Sequence, residues 1–156
     1  MSNADASASQ PKRAARGSRR ASRELALQSL YQWLLSRDDV QALLAQAAEK
    51  EEFARAHGEY FRTLVRGVVE RADSLEAALQ PFLDRPIEQL SPIERALLLM
   101  ATYELTAATD VPYRVAINET MELAKLYGGT DGYKYVNGVL DKLATQVRPG
   151  EVKNKN

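Results

Sequence analysis

The stretch Asp110–Leu143, DVPYRVAINETMELAKLYGGTDGYKYVNGVLDKL, predicts two helices joined by a glycine-rich turn. Pro112 suits the first turn of a helix, because its missing N–H has no partner to lose there. Apolar residues recur at helical spacing on both sides of the turn. The glycines at 128–129 are expected to end the first helix, and Thr130 or Asp131 to cap the second.

The rest of the chain also follows helical periodicity, and no segment alternates with the period of a strand. We expect helices over about 18–36 and about 40–50, the second capped at 38–39, and a third from Gly58 to Pro81 with a bend near Asp73. The fold class predicted from these patterns is all-α, a compact bundle of about six or seven helices.

The centre of that bundle is predicted from residues 91–101. Ser91, Pro92 and Glu94 form the pattern of a capping box at a helix start. The residues that follow at 96–101, ALLLMA, are apolar on every face, so the helix should be surrounded by protein.

Composition excludes several classes of function. The 156 residues contain no cysteine and a single histidine, His57, which leaves little for a metal centre or a Ser/His/Asp triad. His57 is most simply a helix-end residue. We expect no metal, no cofactor and no enzymatic activity. No apolar run approaches the ~20 residues of a membrane helix, and the absence of cysteine fits a cytoplasmic protein.

The net charge of zero conceals a basic segment. Residues 11–23 hold six of the 21 basic side chains and no acid, which leaves 15 basic against 21 acidic residues elsewhere. The six are Lys12, Arg13, Arg16, Arg19, Arg20 and Arg23. Such a cluster attracts polyanions, although a solubilising tail would look the same. We expect residues 1–18 to form a disordered basic tail, 19–148 the helical domain and 149–156 a flexible tail.

Four stretches together resemble the NusB family of bacterial transcription antitermination factors. They are DVPYRVAINETMELAK, YKYVNGVLDKLA, RELALQSLYQWLLS and IERALLLMATYEL, which occur in order between Arg19 and Val147. The resemblance implies two small helical subdomains side by side. It also implies that the arginine-rich segment, matched by Arg19, Arg20 and Arg23, binds the boxA element of ribosomal RNA leader transcripts.

The string TDGYKYVN offers rings and polar groups of the kind that read single-stranded RNA. Asp131 and Tyr135 match family positions that contribute to RNA binding, and Lys134 is a polar partner beside them. The chain has Gly132, Tyr133 and Tyr135 where the family usually has serine, histidine and phenylalanine. On residues alone, partly buried core tyrosines are the simpler interpretation.

Three further residues take a role from the resemblance. Tyr31 matches a family tyrosine near the RNA and partner surfaces, although it lies on an apolar stripe and a structural role is open. Glu94 matches a family glutamate that docks NusE, a small-subunit ribosomal protein, and Glu88 matches less securely. A cap partner and a solvated glutamate would explain the same two residues.

The resulting hypothesis is an antitermination factor, not an enzyme, that binds boxA RNA with NusE in the RNA polymerase antitermination complex, with no membrane partner. One alternative is a helical protein–protein adaptor whose basic tail is incidental. Another is an RNA cytosine methyltransferase, since NusB-like domains head some of these enzymes. That would require a further catalytic domain with nucleophilic cysteines, and these residues include none.

Overall fold

A computed structural model describes the backbone of residues 2–127 and 129–153 and the side chains of 19–127 and 132–153. These residues form seven α-helices and no strand, which confirms the all-α prediction. The helices are α1 Ser2–Ser36, α2 Val40–Ala48, α3 Gly58–Leu79, α4 Pro92–Thr106, α5 Tyr113–Tyr127, α6 Gly129–Val147 and α7 Pro149–Lys153. Short 3₁₀ turns lie at Glu51–Arg55, Gln80–Phe82 and Ile87–Gln89. None of the described helices is both long and apolar enough to cross a membrane.

The chain divides into two compact units, residues 1–66 and 67–156, in agreement with the expected pair of subdomains. The helix α1 begins at Ser2, where the sequence predicts a disordered tail. The side chains of that segment lie outside the described residues, so the tail at 1–18 stays a prediction.

In the first unit, α1 packs against α2 and the 51–55 turn. The helix α1 is followed by Arg37, which adopts a left-handed conformation with φ of 56°. The side chain of Asp39 then caps α2 by accepting hydrogen bonds from the backbone N–H groups of Gln41 and Ala42, at 3.1 and 3.4 Å. The predicted break and cap before the second helix are thus confirmed.

The start of α3 is held by the histidine. The hydroxyl of Ser22 donates to the carbonyl of His57 and accepts from its N–H, both at 2.8 Å. Nδ1 of His57 accepts from the backbone N–H of Tyr60 at 3.1 Å. His57 therefore caps a helix, as the sequence predicts.

The second unit is built around α4. All ten residues from Ala96 to Leu105 are buried, which confirms the prediction for 96–101. The hydroxyl of Ser91 caps this helix by accepting from the N–H of Glu94 at 3.2 Å. Helices α5 and α6 pack on α4 and on each other, so the stretch from which the fold was predicted covers the central helix.

A glycine in α3 allows α4 to approach closely. A Cβ atom added to Gly67 would lie 2.2 Å from Cε1 and 2.4 Å from Cζ of the Tyr103 ring. The ring is buried and cannot move away cheaply. Further along α3, Arg71 breaks the helical conformation (φ −110°, ψ 15°), near the bend that is predicted at Asp73.

We predict that Gly67→Ala destabilises the protein by about 1–3 kcal/mol, because the new methyl group overlaps a fixed ring. Gly138→Ala is the matched control, since nothing lies within 4 Å of its added Cβ. This variant should gain roughly 0.5–1 kcal/mol from helix propensity. Urea unfolding of both variants measures the difference, and equal stabilities would contradict the close approach of Gly67 to Tyr103.

Two features at the end of the second unit differ from the sequence-based expectations. Helix α6 begins at Gly129, so Thr130 and Asp131 lie inside it and the predicted cap position is wrong. Where a flexible tail is expected from 149, the backbone forms α7 through Lys153. Residues 154–156 lie outside the described part of the chain.

The side chain of Arg148 anchors this end of the chain. It is 8% exposed and donates hydrogen bonds to backbone carbonyl groups at and beyond the end of α4. The acceptors are the carbonyls of Leu105 at 2.8 Å, Glu104 at 3.2 Å, Ala108 at 3.4 Å and Val111 at 3.0 Å. Helix carbonyls at a buried C-terminus have no water to bond, and the guanidinium takes that role. Nη1 also donates to Glu151, whose other oxygen accepts from the N–H of Tyr113 at 2.8 Å.

Arg148→Ala should therefore destabilise the protein by about 2–4 kcal/mol, because it leaves buried carbonyls without donors. Arg114→Ala, the loss of an exposed arginine on α5, is the control and should stay within about 0.5 kcal/mol of the parent protein. Thermal unfolding of the two variants is the measurement. If both lose the same small amount, the guanidinium does not anchor the end of α4.

Candidate functional site

The basic start of the first unit is only partly open to solvent. The guanidinium carbons of Arg19 and Arg23 lie 4.3 and 5.5 Å from the centroid of the Tyr60 ring. Arg23 is 4% exposed and Arg19 half-buried, whereas Arg20 is exposed. Of the predicted RNA-binding arginines, Arg20 is the most accessible, and the other two line an aromatic ring. The side chains of the three upstream cations lie outside the described residues.

Tyr31 is on the surface of the same helix. It is 39% exposed, and Leu35, one turn later, is 56% exposed. Tyr31 thus lies at the edge of the apolar stripe, where it can contact a partner as well as the core.

In the second unit, Tyr135 contacts Asp84 and Arg85, two residues that the sequence patterns did not single out. Its hydroxyl donates to Oδ1 of Asp84 at 3.0 Å and accepts from the backbone N–H of Asp84 at 3.2 Å. Arg85 donates to both oxygens of the same carboxylate, from Nε at 2.7 Å and from Nη2 at 3.0 Å. The Arg85 guanidinium carbon lies 5.1 Å from the centroid of the Tyr135 ring. Asp84, Arg85 and Tyr135 form what we call the arginine–tyrosine cluster.

The electrostatics of the arginine–tyrosine cluster follow from these bonds. The hydrogen bond from Arg85, and then that from Tyr135, lower the pKa of Asp84 from 3.8 to about 2. Burial raises the pKa of Tyr135, whose hydroxyl stays protonated at neutral pH. Asp84 is therefore a charged acceptor under all physiological conditions, and it holds the phenol and the guanidinium in place.

Glu94, in the first turn of α4, lies against Gly132 near the start of α6. A Cβ atom on Gly132 would approach Oε2 of Glu94 to 2.7 Å, so the carboxylate occupies the space above this glycine. The negative charge of Glu94 also raises the pKa of Arg85, but by less than Asp84 and Tyr135 do. Glu94 is predicted to bind the protein partner, and Tyr135 is predicted to bind RNA. Both thus lie near the same arginine, Arg85.

The other side chains of this unit that the sequence singled out differ in their exposure. Lys134 and Glu88 are exposed. Tyr133 is half-buried, and Nζ of Lys125 lies 5.6 Å from its ring centroid. The side chain of Asp131 lies outside the described residues, and its role stays a prediction.

A titration followed by NMR checks the arrangement around Asp84. We expect a pKa of about 2 in the parent protein. The pKa should rise toward 3.8 in Tyr135→Phe and rise further in Arg85→Ala, since Arg85 makes the larger contribution. Because the folded-state value is below the unfolded one, the stabilisation by Asp84 is complete above pH 3.8 and is lost as the pH falls toward 2. A pKa that neither substitution changes would show that the carboxylate holds neither side chain.

The fold and these residues define a small all-α protein with a cationic helix face in one unit and a charged aromatic cluster in the other. Residues 20–145 match the model of the NusB family, and the chain belongs to this family.

Curated relatives that carry the name transcription antitermination protein NusB agree with this assignment. The protein of Cupriavidus pinatubonensis is 56% identical over 137 residues, which cover 88% of this chain and 82% of the relative. That of Thiobacillus denitrificans is 52% identical, with 88% and 95% covered. That of Ralstonia pickettii is 51% identical, with 95% and 96% covered.

Solved structures share the fold. T. maritima NusB superimposes with a TM-score of 0.75 at 29% identity, covering 86% of this chain and 96% of that one. A crystal structure of the antitermination factors NusB and NusE in complex with double-stranded RNA gives a TM-score of 0.73 at 25% identity, covering 82% and 96%. The family resemblance inferred from the sequence is confirmed.

Proposed function

We propose that this protein binds the boxA element of ribosomal RNA leader transcripts together with NusE and so supports processive transcription by bacterial RNA polymerase. It acts by binding and not as an enzyme, in the cytoplasm where the nascent transcript is made. Family membership carries the proposal, since the curated relatives are antitermination proteins and a solved relative is bound to NusE and RNA.

The surface of the first unit supports the RNA part of the proposal. Arg20 presents an exposed cation beside Arg19, which is only half-buried. Such cations neutralise phosphates and release counterions, which gives affinity without sequence preference. Sequence preference needs base contacts, for which the second unit offers the half-buried ring of Tyr135 with exposed Lys134 next to it.

The start of α4 supports the NusE part of the proposal. Glu94 is partly exposed and Glu88 exposed, and both precede or begin the central helix α4. A basic ribosomal protein is attracted to such carboxylates, which set orientation and association rate more than affinity. Glu94 borders the arginine–tyrosine cluster through Arg85, so a partner on Glu94 and an RNA on Tyr135 would share a boundary.

The test is binding of a boxA-containing RNA and a scrambled RNA, with and without NusE, across a salt series. We expect a preference for boxA that NusE strengthens. Arg20→Ala should weaken binding to both RNAs and make the salt dependence shallower by about 0.7 log units per log unit of salt, the value for one phosphate contact on a single strand. Glu94→Gln should reduce the effect of NusE and leave binding of RNA alone unchanged.

Lys153→Ala is the matched control for Arg20→Ala, because it removes one exposed cation from α7. Arg23 is unsuitable for the test, since its buried side chain packs on Tyr60 and its loss would disturb the fold. Equal binding to both RNAs, with no response to NusE or to Arg20→Ala, would reject the proposal in favour of a protein–protein adaptor. The exposed side chains of Tyr31 and Leu35 would then be the first surface to test.

A further inference from the structure

We propose that Arg85 is a base-reading residue of the RNA interface, which selects an exposed guanine through the guanidinium edge that Asp84 leaves open. This inference rests on the proposed RNA-binding function and adds to it a residue and the base that it recognises.

The chain segment around Arg85 fixes the position of the guanidinium. It lies between the two 3₁₀ turns Gln80–Phe82 and Ile87–Gln89. The side chain of Gln80 donates to the carbonyl of Arg85 at 3.1 Å, and the backbone N–H of Asp84 donates to the Tyr135 hydroxyl. The segment is thus attached to the 3₁₀ turn before it and to α6. Little conformational entropy remains for the guanidinium to lose when it binds a ligand.

The hydrogen bonds of Arg85 leave one defined edge for a ligand. A guanidinium carries five N–H donors, and Asp84 takes one on Nε and one on Nη2. Among the described residues, Asp84 is the only acceptor of the Arg85 guanidinium. The edge between Nη1 and Nη2 therefore keeps two parallel donors, and the side chain is 44% exposed.

The charge around this edge favours a base over a phosphate. The carboxylate of Asp84 neutralises the guanidinium at contact distance, and Glu94 adds further negative potential nearby. A phosphate would be repelled by both carboxylates, whereas a neutral base is not. The Arg85 guanidinium carbon lies over the Tyr135 ring, 5.1 Å from its centroid. A base bonded to the guanidinium is therefore close to the ring as well, and base–aromatic contacts stabilise single-stranded RNA complexes.

The pattern of two parallel donors selects among the bases. Guanine presents two acceptors, O6 and N7, on one edge, whereas adenine presents a donor and an acceptor there. A bidentate arginine contact of this kind is worth about 1–3 kcal/mol, or about five- to 150-fold in affinity, against the wrong base. Lysine cannot replace it, because its ammonium is a point charge without a planar fork.

The experiment measures affinity for the boxA-containing RNA and for versions in which each guanine in turn is replaced by adenine or 7-deazaguanine, which lacks the N7 acceptor. We expect one position at which either replacement weakens binding of the parent protein about five- to 150-fold. Arg85→Lys should lose that discrimination and keep the salt dependence. Asp84→Asn should lose part of it and steepen the salt dependence by about 0.7 log units per log unit of salt, because the arginine charge is then uncompensated.

Lys134→Ala is the matched control, since it removes an exposed cation next to Tyr135. It should weaken binding to all the RNAs alike and make the salt dependence shallower. Helicity by circular dichroism verifies that each variant is folded. Preference for boxA over the scrambled RNA with no sensitive guanine, or sensitivity that Arg85→Lys retains, overturns the inference and leaves the proposed function intact. No preference for boxA in the parent protein rejects both.

Discussion

The burial of α4 on every side is the constraint on which the second unit depends. Ten consecutive buried residues require that neighbouring helices approach closely and that the backbone groups at both helix ends find hydrogen-bond partners. Gly67 meets the first requirement, because any larger residue would collide with Tyr103. Ser91 and Arg148 meet the second, at the N-terminal and C-terminal ends. Arg148 also explains why the chain remains helical beyond α6.

The same packing positions the arginine–tyrosine cluster. Helix α6 packs on α4 and α5, which brings its first turns against the segment that leads into α4. Tyr135 uses its hydroxyl to bond Asp84, a contact that a phenylalanine at this position could not make. The tyrosine thus adds a polar attachment to its ring, which orders Asp84 and through it Arg85. A side-chain network whose polar groups are satisfied in this way rigidifies a surface.

The two units offer different chemistry to the proposed RNA ligand. The first presents exposed or partly exposed arginines at the start of its helical core, suited to phosphate contacts that give affinity and salt dependence. The second presents a guanidinium whose charge is compensated by Asp84, suited to a base edge. This division follows the general rule that phosphate contacts position a nucleic acid while base contacts specify it. The zero net charge of the chain conceals both surfaces.

The sequence by itself determined the helical class, the caps at Asp39 and Ser91 and the burial of 96–101, because these features depend on neighbours within a few residues. The family motifs were also sufficient to assign the chain to the NusB family. Only the tertiary structure showed that Arg148 donates to the carbonyl of Val111, 37 residues away, and that Tyr135 is hydrogen-bonded to Asp84, 51 residues away. It also showed that α6 begins at Gly129, before the predicted cap residues. Periodicity records which face of a helix is apolar, but the partner of a polar side chain across the fold depends on how the helices pack.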